Sequence, residues 1–489
     1  MTTKPRWEYQ LFIDGKWEDG TGSEDLEVVN PATEEIIGRV PQASTKDVTK
    51  AVQAARAAFD DGPWGRLTPQ ERSTMLLRAA EEMMKRQPAF AELNIAEAGS
   101  VVDLANSTQT TVGIKHFTHW AERAATFPYV EPLDDPSITG DGAIFKVPVG
   151  VVAAITPFNF PMYLNLWKLG PALAMGNTVV LKPSPYTPLE GFALAEAFEA
   201  ADFPAGVVNV VTGDAAAGEE LTSHPGVDMV AFTGSDVVGS RIMGQASDTV
   251  KRLLLELGGK APYIVFADAD VDAIGAAAAN QYIRHQGQGC GNPTRMLVEQ
   301  SVHDRFVARM VDTLAGVKVG DPSDPTVTMG PLIRESQRAR AEHYIQSGLD
   351  DGATIAFGGK RPAHLERGYF VEPTLLVDVD NSWPVAQDEI FGPVAVVIPF
   401  RDEDDAVRIA NDSRYGLCSW VWSGSTERAM AVAQRLRIGM VNVNGGAGGL
   451  SLNGTFGGFK RSGLGRELSD HGLHEYLELK TVYWPAERG

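Results

Sequence analysis

From residue 150 onward the chain alternates short apolar runs with amphipathic stretches, and this alternation constrains the fold more than any other feature. Residues 151–155, 178–181, 207–211, 229–232 and 253–257 read as buried strands, with helices over 162–175, 189–201, 216–223 and 238–246 between them. Repeated strand–helix units imply a parallel, doubly wound α/β sheet that binds ligands at the C-terminal ends of its strands. A second series follows Gly258-Gly259. Its strands are expected at 263–266, 295–299, 394–399, 419–422 and 440–443, and its helices at 271–285, 302–317, 404–411 and 427–436. Two α/β domains of similar size are therefore expected, and a length of 489 residues accommodates them.

Helix starts are legible upstream. Ser44 with Asp47 forms a capping box ahead of Val48, Val52, Ala55 and Phe59, and Thr68-Pro69-Gln70-Glu71 repeats the signal with proline at the first helical position. Segments 132–147 and 475–484 fit neither series and read as an accessory hairpin and strand. The stretch 445–458 holds seven glycines in fourteen residues and reads as a loop near a site. Residues 147–167 carry no charge over 21 positions, but their prolines and asparagines exclude a membrane span in favour of a buried strand, loop and helix.

With 43 basic against 63 acidic residues the net charge is −20, which argues against a general nucleic-acid or anionic-membrane binder. Two cysteines and the absence of an apolar leader in MTTKPRWEYQ point to a cytoplasmic protein. There is no HExxH, no paired CxxC, no G-x-S-x-G and no complete GxGxxG, so zinc hydrolysis, an α/β-hydrolase elbow and the usual dinucleotide loop are unsupported. Tight strand–helix junctions at Gly213 and at Gly234-Ser235, with Gly239 beyond, let a backbone approach phosphates, although such turns use glycine anyway.

Four side chains draw attention. Cys290 stands among glycines in Gly287-Gln288-Gly289-Cys290-Gly291, where a nearby cation or helix N-terminus would lower its pKa; the alternative is an inert buried thiol, as expected for Cys418. Glu256 ends an apolar strand, where an unpaired carboxylate is costly unless protonated, ion-paired or used as a base. Asn159, between Pro157 and Pro161, suits an oxyanion donor or an Asn turn. Lys182 ends a buried strand, facing a ligand or snorkelling to the surface.

Together with Trp167-Lys168-Leu169-Gly170-Pro171, Lys182-Pro183-Ser184, Phe232-Thr233-Gly234-Ser235, Leu255-Glu256-Leu257-Gly258-Gly259-Lys260, Glu389-Ile390-Phe391-Gly392-Pro393 and Phe456-Gly457-Gly458-Phe459-Lys460, these residues occur in the order found in the NAD(P)-dependent aldehyde dehydrogenase superfamily. The chain resembles that superfamily from about Leu11 to Tyr483. The resemblance implies an NAD(P)-binding domain over 1–131 and 148–257, a catalytic domain over 258–460, and bridging or oligomerisation segments at 132–147 and 461–489, assembled as a homodimer or homotetramer. It implies Cys290 as nucleophile, Asn159 as oxyanion donor, Glu256 as general base, and Lys168 with Glu467 as a proton relay. Cofactor contacts would fall to Thr156, Lys182, Ser184, Gly213, Gly234, Ser235, Gly239, Leu257, Glu389 and Phe391, and substrate contacts to Phe160, Tyr163, Trp167 and Phe456. No metal is implied.

The sequence departs from the superfamily in two places. Pro185 stands where many NAD-preferring members carry a ribose-binding glutamate, so NAD is expected with NADP use possible. Gly291-Asn292-Pro293 replaces a more usual alanine-containing turn. The expected reaction is oxidation of an apolar or aromatic aldehyde to its acid. The rivals are a CoA-acylating relative, which usually lacks the glutamate, and a silent structural member, which would have lost the cysteine or asparagine. Trp167, where relatives acting on succinic semialdehyde often place an arginine, argues against that substrate.

Overall fold

A computed structural model of the chain describes residues 6–22, 24–446 and 449–485. Residues 1–5, 23 and 486–489 of the expected N-terminal and bridging segments, and Ala447 and Gly448 of the glycine-rich loop, lie outside the described residues. Two large sheets carry the fold. The first runs, edge to edge, Gly463–Leu464, Arg252–Glu256, Met229–Thr233, Val151–Ile155, Thr178–Lys182, Val208–Val210, Leu11–Ile13, Lys16–Glu18. Its five central strands are parallel, and its edge pairs antiparallel. The second runs Thr354–Phe357, Thr374–Val377, Val394–Phe400, Pro293–Glu299, Ala261–Val265, Cys418–Trp422, Met440–Val443, parallel except at its first pair.

Both expected series are present, with ends shifted by a few residues. Strand composition follows burial. Val151–Ile155 is buried at every position, as a parallel strand covered by helices on both faces must be. In the second sheet, Ile264, Leu297 and Val396 pack into one core while Tyr263, Val265, Met296 and Val397 pack into another. The sheet is thus covered on two sides, with side chains alternating between them. Both N-terminal capping boxes form, at Ser44–Asp47 and at Thr68–Glu71, each acid reaching back to its cap N–H at 2.8 Å.

The apolar stretch 147–167 enters the buried helix Pro161–Ala174, and no helix among the described residues is long and apolar enough to cross a membrane. The accessory hairpin also forms: Val130–Pro132, Asp141–Pro148 and Leu477–Trp484 make a separate antiparallel sheet. After the second sheet the chain returns to the first, where Gly463 pairs with Glu256.

One helix is shorter than expected. The predicted helix 271–285 ends at Tyr282, because His285 and Gln286 adopt left-handed backbone angles (φ 50° and 57°) and Gly287 follows at φ 75°. A Cβ on Gly287 would lie 2.1 Å from the Gly392 carbonyl oxygen, so only glycine fits this reversal. The chain therefore turns sharply just before Cys290.

Candidate active site

The expected site residues collect at the C-terminal ends of the first sheet's parallel strands, facing the second sheet. Val151–Ile155 leads into Thr156 and Asn159, Met229–Thr233 into Gly234 and Ser235, and Arg252–Glu256 ends on Glu256 itself. Asn159 is buried. Its side-chain amide donates to the Gln288 carbonyl at 2.7 Å, and its own backbone carbonyl accepts from Gln109 Nε2 at 2.9 Å. One amide hydrogen remains for another acceptor.

Cys290 lies half-buried in a turn, and the Cys290 backbone N–H has no partner among the described residues. Asn292 ties this turn down, its side-chain amide donating to the Arg284 carbonyl at 2.9 Å. Burial, with Glu389, Glu256 and Glu467 nearby, pushes the Cys290 thiol pKa up to about 12, opposed by a hydrogen bond from Gly291 N–H. No cation is among the groups that shift it. Cys418 is buried as expected, but it is a neighbour: a Cβ on Gly291 would lie 3.1 Å from its sulfur.

Glu256 is buried, and neither carboxylate oxygen has a hydrogen-bond partner among the described residues. Burial first, then Glu467, raises its pKa well above the usual carboxylate range, while Lys168 and Arg466 oppose the shift. The glycine-rich loop passes directly over it, since a Cβ on Gly457 (φ 148°) would lie 2.8 Å from Glu256 Oε1. Lys168 and Glu467 form a buried ion pair at 2.5 Å. A buried carboxyl whose pKa is raised and whose oxygens are free of hydrogen bonds among the described residues is suited to proton transfer.

Two cavities lie at this side of the first sheet, the larger one reaching Asn159 and Cys290. One of about 720 Å³ is lined by Asn159, Gly234, Ser235, Leu257, Cys290, Glu389 and Phe391. Glu389 accepts from Gly259 N–H at 2.9 Å, and burial raises its pKa to about 7. Ser235 caps the helix Asp236–Ala246, on which Gly239 packs against Leu257. The other, about 230 Å³, is lined by Lys182, Pro185, Asp214, Gly218 and Arg241. Burial lowers the Lys182 pKa to about 8. Gly213 immediately precedes Asp214, the cap of the helix Ala215–Ser223. Thr156 is already engaged, donating to Asn165 at 2.6 Å, and Ser184 accepts from Tyr186 N–H at 3.3 Å. Among the described residues no cluster of three or more His, Cys, Asp or Glu could hold a metal.

The expected substrate residues form an aromatic group. Tyr163 lies between Phe160 and Trp167, with ring centroids 6.4 and 4.8 Å away, and Trp167 meets Phe456 at 5.6 Å. His116 joins them, accepting from Trp167 Nε1 at 3.0 Å, and burial holds its pKa near 4. Gln109, Thr108, His116, Arg284 and His285 are not expected at the site from sequence. Gln109 and Thr108 lie on the π-helix Ala105–Val112, whose wider turn has no simple sequence signature.

The sequence profile of the aldehyde dehydrogenase family matches residues 17–482. A putative aldehyde dehydrogenase of Staphylococcus saprophyticus is 38% identical over 96% of this chain and 98% of its own. An aldehyde dehydrogenase from Mycobacterium tuberculosis, crystallised with NAD+, superposes with a TM-score of 0.96 at 39% identity, covering 99% of this chain and 100% of its own. A mutant of aldehyde dehydrogenase C from Pseudomonas syringae, crystallised with NAD+ and octanal, superposes at 0.93 with 36% identity, covering 97% and 96%. The chain belongs to the aldehyde dehydrogenase family.

Proposed function

We propose that this protein oxidises an apolar or aromatic aldehyde to the carboxylic acid with NAD, using Cys290 as nucleophile. The carrying observation is that Asn159 bonds to the loop of Cys290 while both open on one cavity. The residues fit a dinucleotide: the larger cavity offers the N-terminus of the helix Asp236–Ala246 and an unpartnered Thr233 hydroxyl, and the smaller one offers Lys182. Ser235 and Gly234 would receive the pyrophosphate, Lys182 the adenosine ribose, and Glu389 with Phe391 the nicotinamide end. NAD, when bound, accepts the hydride.

The Cys290 thiol gives its proton to water in the cavity it lines, the thiolate attacks the carbonyl carbon, and the carbonyl oxygen becomes an oxyanion held by the free Asn159 amide hydrogen and the Cys290 N–H. Loss of hydride leaves a thioester on Cys290. Glu256 takes a proton from water, the hydroxide displaces the Cys290 sulfur, and the acid is released. Lys168 and Glu467 lie where that proton can move on. The unpartnered Glu256 carboxylate supports water rather than CoA as acyl acceptor. The ring-lined group around Tyr163 supports an apolar substrate, as does octanal in the Pseudomonas syringae relative.

The first sheet with its helices would bind the coenzyme, and the second would carry the nucleophile. Leu479, Val482, Tyr483 and Trp484 are exposed on the strand Leu477–Trp484, which supports assembly of a homodimer or homotetramer through the small sheet. The test is NADH formation from nonanal, benzaldehyde and succinic semialdehyde. A higher kcat/KM for succinic semialdehyde than for the other two would overturn the apolar reading.

A further inference from the structure

We propose that Gln109 is the positioning residue of the oxyanion donor: from the π-helix Ala105–Val112 it holds the Asn159 loop by its backbone carbonyl, so that the Asn159 amide faces the cavity that Cys290 lines. The proposal rests on the aldehyde-oxidising reading above and deepens it, since part of the catalytic geometry then depends on a helix outside that cavity.

Gln109, Ser100 and Asn159 are all buried. The Gln109 side-chain amide directs its two hydrogens to two fixed acceptors, the Asn159 carbonyl at 2.9 Å and the Ser100 hydroxyl at 3.3 Å. A carbonyl can only accept, which fixes the end of the amide that Gln109 turns toward Asn159. No backbone N–H among the described residues reaches the Asn159 carbonyl, so its partner has to be a side chain. The nucleophile's loop is tied to the same turn. Gln286 donates to the Gly99 carbonyl at 3.2 Å, next to Ser100, and Gln288 accepts both from Asn159 at its carbonyl and from Ile333 N–H at its side chain. Donor loop and nucleophile loop are thus anchored on Gly99-Ser100 from two sides, the first of them through Gln109 alone.

The wider turn is what delivers Gln109 to this place. Between the helical residues Val102–Leu104 and Gly113–Thr126 the chain winds as a π-helix, and Thr110 and Thr111 each donate to the carbonyl five residues back, at 2.7 Å. Such segments are rare within helices and recur at functional sites. Here the segment presents an amide, with two directed bonds, to the loop that carries Asn159.

The test is kcat with nonanal and NAD, alongside the Kd for NADH read from its fluorescence. Gln109→Leu should lower kcat roughly tenfold and leave the NADH Kd and the KM for nonanal nearly unchanged, because a misplaced donor is missed most in the transition state. Added to Asn159→Ala, which already lacks the donor, it should cost no more than about twofold further. Gln109→Glu keeps the shape and decides the matter even if the leucine variant does not fold. Protonated, that carboxyl can donate to the Asn159 carbonyl; ionised, it can only accept and repels it. Its kcat relative to wild type should therefore fall as pH rises across about pH 5 to 9, where a buried carboxyl titrates. Cys290 and Glu256 titrate in both proteins and cancel in the ratio. His285, which also faces the Asn159 backbone, stays neutral with its pKa lowered to about 3. A tenfold loss retained in the Asn159→Ala background, a ratio independent of pH, a kcat loss matched by lost NADH binding, or wild-type kcat in Gln109→Leu would overturn the proposal while leaving aldehyde oxidation standing. No NADH from nonanal with the wild type would overturn both.

Discussion

Asn159 donates its amide to the Gln288 carbonyl at 2.7 Å, joining the loop that leaves the first sheet to the loop that carries Cys290. The donor is thereby oriented before substrate arrives, as electrostatic stabilisation of an oxyanion requires. Asn159→Ala should lower kcat by about a hundredfold, with a smaller change in KM, because the contact strengthens in the transition state. Asn159→Asp should be no better, since a carboxylate repels the oxyanion. Steady-state kinetics of both variants with one good aldehyde is the check, and near-normal kcat in either would count against the role.

Burial and the nearby Glu389, Glu256 and Glu467 push the Cys290 thiol up to about 12, so the thiol form should dominate at neutral pH. Since only the thiolate is alkylated, iodoacetamide labelling should accelerate roughly tenfold per pH unit across about pH 7 to 10. A plateau below pH 8 would show an activated thiolate and contradict this description of the resting site.

Coenzyme choice depends on the smaller cavity. Arg241 lines it together with Lys182 and Pro185, giving a second cation that the local run Lys182-Pro183-Ser184-Pro185 does not reveal, while Asp214 opposes it. NAD should be preferred with measurable NADP activity. Pro185→Glu and Arg241→Ala should each depress kcat/KM for NADP more than for NAD. Equal effects on the two coenzymes would mean that neither residue approaches the ribose.

Glu97 and Glu190 are both buried and electrostatically coupled, and burial raises Glu190 to about 8. A carboxyl whose folded pKa exceeds its unfolded value binds more protons when folded, so stability falls as pH rises between the two values. For Glu190 that window runs from about 4.5 to about 8. Glu190→Gln keeps an acceptor for Asn94 and removes the titration, so its Tm should fall less than that of the wild type from pH 5 to 8. Parallel Tm profiles for the two proteins would contradict the assignment.

Much of this is legible in the sequence for a physical reason. Parallel strands buried on both faces, such as Val151–Ile155, must be apolar throughout, and capping boxes leave paired polar residues at fixed spacing. The helix Glu335–Asp351 is not legible, because its buried face holds only Gln337, Ala341, Tyr344, Ile345 and Gly348, and the side chain of its N-cap Arg334 cannot accept a capping hydrogen bond from the first turn. The early end of the helix at Tyr282 is hidden as well, since left-handed angles fall on His285 and Gln286 and not on glycine alone. Electrostatics are the least legible part. The residues around Cys290 in sequence are glycines and amides, but Glu256, Glu389 and Glu467, which surround it in space, come from distant segments.

Cys290 as the acyl-carrying residue is the claim on which the mechanism stands. Glu256→Gln cannot take a proton from water, so it should give a burst of NADH with nonanal and then stall with the acyl group on the enzyme. Acid quenching followed by peptide mass spectrometry should find that acyl group on Cys290, with Cys418 unmodified and Cys290→Ala giving neither burst nor adduct. An acyl group on another residue, or steady NADH formation by Cys290→Ala, would contradict the account.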